Sequence, residues 1–261
     1  MKTLIYTLAI ALLTILSFTV NAQVNTSGPQ KVYKLPRLDE RSVITDSTGK
    51  RIDYTAWTTM VNTGRYAVKV VVLPNGKGAL RLTTVSKAER DAKIAQMPKP
   101  MDSPFFTTGQ NFDKNFKEKD FKGESWDNKR MKGKIVVMSF WYVNNVQCRQ
   151  SIADMNELAA AYKGASNVVF ISVPMDDKKV VEEYLQTNPL NYVHLEKGAK
   201  LSESLGIMSH PTSIVIDQNG VIQYHSTGYN IANTMWIGKT VTELQHLPEA
   251  PAAAQVFASI K

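Results

Sequence analysis

A continuous apolar run, Ile135 to Trp141, is the feature that most constrains the fold of this chain. A run of this length without polar alternation is typical of a strand that is buried on both faces. Such a strand belongs to a sheet that carries a covering layer on each side. A polar turn follows the run, and Cys148 comes after the turn at the start of an apparent helix.

The elements after this strand alternate in type. Apolar residues recur at helical spacing from Ile152 to Tyr162. Further patterns predict strands over 168–173, 212–217 and 221–225, and helices over 178–186, 199–205 and 232–246. The order β-α-β-α-α-β-β-α combines crossover helices with a terminal hairpin. We therefore expect an α/β fold with a mixed sheet and helices on both faces.

A smaller pattern precedes this region. Two β-rich stretches, 65–73 and 79–85, flank the turn residues 74–78 and predict a β-hairpin. Ser86 to Glu89 has capping-box spacing and predicts a short helix that ends near Gln96. This pattern indicates a small α+β module, in which no catalytic or ligand-binding constellation is visible.

The first residues predict export. Lys2 is followed by an apolar run, and Val20-Asn21-Ala22 offers the small residues that a signal peptidase recognises. We expect a signal peptide over 1–22, cleaved after Ala22, and a periplasmic or secreted product without a stable membrane span. An uncleaved anchor is the alternative, although the run is marginal for crossing a bilayer, which needs roughly 20 residues. The expected domains are then 23–100, which ends in a linker rich in proline, and 101–261.

Charge and cysteine content exclude some functions. The formal net charge is +8, but the lysines between 114 and 134 alternate with acids, as on a solvated surface. We therefore expect no nucleic-acid partner. The chain has one cysteine, so it cannot form an internal disulfide. A disulfide between two copies through Cys148 remains open.

Two stretches resemble a known family. "MKGKIVVMSFWYVNN" (131–145) and "GIMSHPTSIVIDQNGVI" (206–222) are similar to hallmarks of the TlpA and ResA group of thiol-disulfide oxidoreductases, within the wider redoxin family related to AhpC/TSA. The resemblance runs from about Gly109 to the last helix. It implies a thioredoxin-like fold, a mixed sheet with helices on both faces.

The active-site motif of that family is only partly present. Asn145 stands where the family has its attacking cysteine, Cys148 matches the second cysteine, and Arg149 matches the arginine that often follows. Val146-Gln147 replaces the usual Pro-Pro, and Ser151 replaces a glutamate that helps to move protons in many members. Thiol-disulfide exchange needs an exposed thiolate and a second thiol that resolves the mixed disulfide. We therefore predict that dithiol activity is absent.

The remaining residues of the implied site lie at its edges. Trp141 ends the central strand, and we expect it to belong to the core. Pro211 matches a proline that is cis in the family and faces the thiols, and His210 immediately precedes it. In such folds the backbone beside this proline can pair with an extended peptide. The expected partners are thus exported proteins or peptides in the groove beside Pro211, with apolar contacts from residues such as Met208.

Two functions follow as hypotheses. The first is a redox-silent or weakly active module that binds peptides or proteins. The second is a monothiol oxidoreductase or peroxidase-like enzyme that uses Cys148, with His210 as its neighbour and Arg149 and the helix N-terminus favouring the thiolate. The Thr-x-x-Cys pattern of peroxiredoxins is not met. Cys148 and His210 supply at most two metal ligands where a structural zinc site needs about four, so we expect no metal and no cofactor.

Overall fold

The computed structural model describes residues 34–246. The predicted signal peptide and its cleavage site at Ala22 lie outside the described residues. Residues 35–246 lie within one compact unit, and the expected division near residue 100 stays a prediction. Among residues 34–246, no helix has the length and apolar character that a membrane crossing requires.

The first four strands form a sheet of their own. Their order is β2-β1-β4-β3, and two helices accompany them. The elements are β1 Ile44–Thr45, β2 Arg51–Ile52, α1 Tyr54–Asn62, β3 Tyr66–Val72, β4 Gly78–Thr84 and α2 Lys87–Ile94. We call residues 44–94 the N-terminal module. Its β3–β4 pair is antiparallel, which confirms the predicted hairpin, and Trp57 packs against Val68 and Leu82 to form its core.

A second, five-stranded sheet follows a short ribbon. The ribbon and its helix are β5 Lys117–Lys119, β6 Ser125–Asp127 and α3 Asn128–Met131. The elements that come next are β7 Ile135–Trp141, α4 Val146–Ala161, β8 Val168–Pro174, α5 Lys178–Thr187, β9 Val193–His194, α6 Gly198–Ser204, β10 Thr212–Ile216, β11 Ile222–Thr227 and α7 Asn233–His246. The sheet order is β11-β10-β7-β8-β9. Strand β7 runs parallel to β8 and antiparallel to β10, so the sheet is mixed.

Strand β7 lies at the centre of the five-stranded sheet, and all seven of its residues are buried. Val136, Met138 and Phe140 point into one apolar cluster, which includes Leu201 of α6. The alternate residues of β7 point into a second cluster, which includes side chains of α4, α5 and α7. The predicted α/β fold with helices on both faces is therefore confirmed.

The predicted order of elements lacked several short strands. It lacked β9, which lies between α5 and α6 and pairs with β8. A two-residue strand shows no alternation, and its existence depends on a neighbour that is distant in sequence. For the same reason the prediction lacked β1 and β2 and the β5–β6 ribbon.

Candidate functional site

The start of α4 is built on Asn145. Asn145 is the N-cap of the helix, and its Oδ1 accepts the backbone N–H of Cys148 at 3.0 Å. An N-cap side chain of this kind satisfies one of the backbone donors that the first turn of a helix leaves unpaired. Asn145 therefore holds the helix end by a hydrogen bond.

Asn145 also reaches the loop before β10. Its Nδ2 donates to the backbone oxygen of His210 at 3.3 Å. The peptide bond between His210 and Pro211 is cis, and the Pro211 oxygen accepts the N–H of Gly228 at 2.8 Å. One amide side chain thus joins the start of α4 to the proline loop, so that the two segments of the implied site lie side by side.

The thiol of Cys148 is inaccessible. The residue has 0% of its surface exposed and lies in the apolar cluster around Trp141 and Ile152. Burial raises the pKa of the Cys148 thiol to about 11, and the Asp176 carboxylate adds to the rise, whereas Arg149 opposes it. A thiol in this setting stays protonated near neutral pH, and attack on a disulfide needs the thiolate.

His210 faces Tyr142. The two rings meet edge to face, with centroids 5.5 Å apart. Nε2 of His210 is buried and has no hydrogen-bond partner in the described part of the chain. Burial lowers the pKa of this imidazole. The contact that the structure places here is Asn145 to His210; a thiol–imidazole pair stays a prediction.

The side chains of Arg149 and Ser151 donate hydrogen bonds to backbone oxygens. Nη1 of the exposed Arg149 donates to the Val143 oxygen at 2.9 Å. The Ser151 hydroxyl donates to the Cys148 oxygen at 2.7 Å, one turn back along its own helix. Such a bond within the helix ties the hydroxyl locally. Both side chains therefore support the local structure of the helix and of the turn before it.

Trp141 belongs to the core, as the sequence predicts. Its side chain is buried, and its Nε1 donates to the Ser172 hydroxyl at 2.7 Å. The ring also packs against Tyr184, with centroids 6.0 Å apart. Because the donor of the indole is satisfied inside the protein, this residue has no group left for a ligand.

The loop before Pro211 has a different character. Met208 is 84% exposed, and Val146 at the start of α4 is 50% exposed. Among the described residues, no group accepts a hydrogen bond from the backbone N–H of Met208, Ser209 or His210. This short stretch thus presents unpaired backbone donors beside apolar side chains. We call it, together with Val146 and Pro211, the groove.

The sequence analysis did not predict an ion-pair cluster that joins α4 to the N-terminal module. Asp154 is buried, and its Oδ1 accepts from Nη2 of Arg65 at 2.7 Å and from Nη2 of Arg90 at 2.6 Å. Both arginines belong to the N-terminal module, and Arg65 also pairs with Glu157 at 2.8 Å. The sequence gives only a weak sign of this cluster, an acid at helical spacing among apolar residues.

Across residues 34–246, no group of three or more histidine, cysteine, aspartate or glutamate side chains is arranged to hold a metal ion. The candidate site contains one thiol, that of Cys148, and one imidazole, that of His210.

Comparison with known proteins identifies the region that carries the site. A family model described as "AhpC/TSA family" matches residues 109–225. Residues 109–225 belong to the AhpC/TSA family. This region includes Asn145, Cys148 and Pro211, and it is similar to redoxins of the TlpA and ResA group.

Two curated relatives resemble the AhpC/TSA region. Thiol-disulfide oxidoreductase ResA of Bacillus thuringiensis subsp. konkukian (strain 97-27) is 30% identical over 110 residues, which are 41% of this chain and 63% of that protein. Thioredoxin-like protein YneN of Bacillus subtilis (strain 168) is 30% identical over 111 residues, 42% of this chain and 65% of YneN. The chain spans less than two thirds of the length of these relatives.

The fold is shared with solved structures. The solution structure of a proposed protein disulfide isomerase from Bacteroides thetaiotaomicron aligns with a TM-score of 0.50 at 16% identity. The alignment covers 56% of this chain and 93% of that structure. The AhpC/TSA region is accordingly a thioredoxin-like domain, related to thiol-disulfide oxidoreductases.

Proposed function

We propose that this protein is a redox-silent member of its family, which binds an extended peptide or protein segment in the groove beside Pro211. One observation carries the proposal. Asn145 stands at the position of the attacking cysteine, caps α4 through Cys148 N–H and donates to the His210 oxygen. These two bonds hold both walls of the groove together with a group that cannot attack sulfur.

The state of Cys148 supports the absence of exchange chemistry. Its thiol has no second cysteine in the chain and no exposed surface. A mixed disulfide with a substrate needs access to the sulfur and a thiolate to form it. Burial, with a pKa of about 11, opposes both requirements.

The groove supports binding. The backbone N–H groups of Met208, Ser209 and His210 have no partner in the described chain, and strand addition pairs with such free groups at every second residue. The Met208 side chain on this stretch is exposed, and so is Val146, the residue after Asn145. Methionine is a flexible apolar side chain that adapts to varied partners. An extended segment with apolar side chains is the ligand that fits.

A monothiol enzyme that uses Cys148 is the second candidate. The helix N-terminus and Arg149 favour it, because both favour a thiolate. However, the N–H of Cys148 already donates to Asn145, and the guanidinium of Arg149 donates to the Val143 oxygen. The buried thiol also opposes a disulfide between two copies, so a non-reducing gel of the purified protein should show a monomer band.

The place of action is part of the proposal. We infer that the protein is exported to the periplasm or secreted, on the signal-like pattern of residues 1–22 and the family resemblance. N-terminal sequencing of the protein recovered from the expressing cell should begin after Ala22. Recovery of the intact N-terminus in the membrane fraction would instead favour the uncleaved anchor.

The redox half of the proposal is tested by insulin reduction with dithiothreitol. The protein should show no rate above the buffer control. A clear rate that disappears in Cys148→Ser would overturn the redox-silent proposal and favour the monothiol enzyme.

The binding half is tested with an array of extended peptides rich in apolar residues. Peptides that bind should shift the amide resonances of Met208 to His210 in NMR spectra. Met208→Asp should weaken binding at least about tenfold, because it places a charge on the apolar wall. Val72→Asp is a matched control, since Val72 is 62% exposed but lies on β3 of the N-terminal module. Equal loss in both variants, or shifts that avoid the groove, would contradict the proposed site.

A further inference from the structure

Helix α4 presents one polar face to the N-terminal module. Gln150, Asp154 and Glu157 recur at helical spacing, and each bonds to the module. Gln150 Nε2 donates to the Thr59 oxygen of α1 at 3.2 Å. Asp154 binds the two arginines described above, and Glu157 shares Arg65 with it. The helix whose first turn forms a wall of the groove is thus fixed to the module along its length.

The two arginines leave one oxygen of Asp154 available. Both guanidiniums bond to Oδ1, and Oδ2 accepts from the Tyr229 hydroxyl at 3.3 Å, a long hydrogen bond. Arg90 is nearly buried and also donates to the Thr63 oxygen at 3.4 Å. Because two charges of the module hold the carboxylate, the position of the Tyr229 ring depends on where the module sits on α4.

Residues Gly228 and Tyr229 bond to the two sides of the groove. The backbone N–H of Tyr229 donates to Oε1 of Gln147, in the first turn of α4, at 3.2 Å. Its neighbour Gly228 donates to the Pro211 oxygen at 2.8 Å. Gly228 has φ of 76°, a conformation that favours glycine, so this segment is fixed at Gly228 as well. The segment 228–229 therefore joins the ion-pair cluster to the helix start and to the proline loop.

We propose that Tyr229 is a positioning residue, which couples the docking of the N-terminal module on Asp154 to the geometry of the groove. This coupling rests on the proposed function, because the groove matters only as the place where a bound peptide segment would contact the protein. It gives the module a role that its sequence does not reveal. Loss of either arginine contact or of the Tyr229 hydroxyl loosens the same two backbone bonds.

Native-state hydrogen exchange measured by NMR tests this coupling without any ligand. Tyr229→Phe removes only the hydroxyl, and Arg65→Gln weakens the cluster from the module side. In both variants the amides of Gly228 and Tyr229 should exchange about tenfold faster, as expected for a weakened local structure. The amides of Val68 and Leu82, inside the β3–β4 hairpin, should stay within about twofold of wild type.

Lys87→Gln is the matched control, because it removes a positive charge from the same module at the exposed Lys87–Asp91 pair. It should leave Gly228 and Tyr229 unchanged. The coupling is refuted if Arg65→Gln leaves these two amides at the wild-type rate. It is refuted equally if all amides accelerate together, since the cluster then contributes only to global stability. An absence of peptide binding would contradict the proposed function but would leave this exchange result unchanged.

Discussion

At the scale of single residues, the first turn of α4 uses a backbone N–H group to bind a neutral side chain. A helix N-terminus with unpaired N–H groups favours a thiolate through its positive end. In this protein the N–H of Cys148 donates to the neutral amide of Asn145. The remaining thiol lies in the core, where burial favours its protonated form.

The first prediction concerns the pH dependence of stability. The pKa of Cys148 is about 11 in the folded protein against 9.0 for an unperturbed thiol. The neutral thiol is the form that the fold favours, so its contribution to stability is full below pH 9.0 and is lost as the pH rises through about 11. The stability gap between wild type and Cys148→Ala should therefore narrow by roughly 2 kcal/mol across this window.

Urea denaturation of the two proteins at a series of pH values measures this gap. Tyrosine and lysine ionisation is common to both proteins and cancels in the difference. A gap that stays constant up to pH 11 would mean that the thiol is not desolvated.

The second prediction restores the missing thiol. Asn145→Cys creates a Cys-x-x-Cys pair at the helix start, a spacing at which the two sulfurs can bond. We expect an internal disulfide and a measurable insulin-reduction rate that stays well below that of an intact family member. The shortfall follows from Ser151, whose hydroxyl donates to the Cys148 oxygen and offers no carboxylate to move protons.

The disulfide is detected by the mass of the alkylated protein with and without reductant. Asn145→Ser is the control, because serine keeps a cap and adds no thiol. A folded Asn145→Cys protein with neither disulfide nor activity would show that the buried Cys148 belongs to the core alone.

At the scale of elements, the start of α4 combines two functions of Asn145 that substitution can separate. Asn145→Ala removes both the cap and the bond to His210, and it should lower the free energy of unfolding by about 1 kcal/mol or more. Asn145→Asp keeps an oxygen for the Cys148 N–H and places a negative charge at the positive end of the helix.

Guanidinium denaturation measures this third prediction. The stability of Asn145→Asp should lie between those of wild type and Asn145→Ala, because only the bond to the His210 oxygen is lost. If the two variants are equally destabilised, the bond to the loop matters more than the cap.

The elements show where sequence analysis succeeds. The seven-residue run of β7 and the hairpin β3–β4 carry a pattern of their own, and so they could be predicted. Helix α1 and the two-residue strands could not, because α1 is rich in threonine and the short strands exist only through their partners. Within the site, the sequence indicates that Asn145 replaces the cysteine. Its bond to His210 requires the fold.

At the scale of the whole molecule, the buried carboxylate of Asp154 is the centre of the contacts between the module and helix α4. The partners of Asp154 are separated from it by 89 and 64 positions along the chain. No local pattern predicts contacts over such separations. In a basic chain, the sequence also does not distinguish these two arginines from the others. The sequence therefore could not assign a role to the module.

The fourth prediction compares the two arginines. The Arg90 side chain is 7% exposed and that of Arg65 is 32% exposed. Removal of a buried partner leaves a buried charge less compensated, so Arg90→Met should destabilise by about 3 kcal/mol. Arg65→Met should cost about 1 kcal/mol, as for a more solvated pair.

Urea unfolding curves compare these variants with Lys87→Met, which should change stability by less than about 0.5 kcal/mol. The order Arg90, Arg65, Lys87 is the essential result. A larger effect for Arg65 would show that its second partner, Glu157, outweighs the burial of Arg90.

The capping bond of Asn145 has a consequence for the gene. No single-base change converts an asparagine codon into a cysteine codon, but one family of serine codons lies a single change from each. Serine is itself a favourable N-cap, so the intermediate on this path keeps the Cys148 N–H bonded. The second thiol can therefore return by successive point mutations that never leave the helix uncapped.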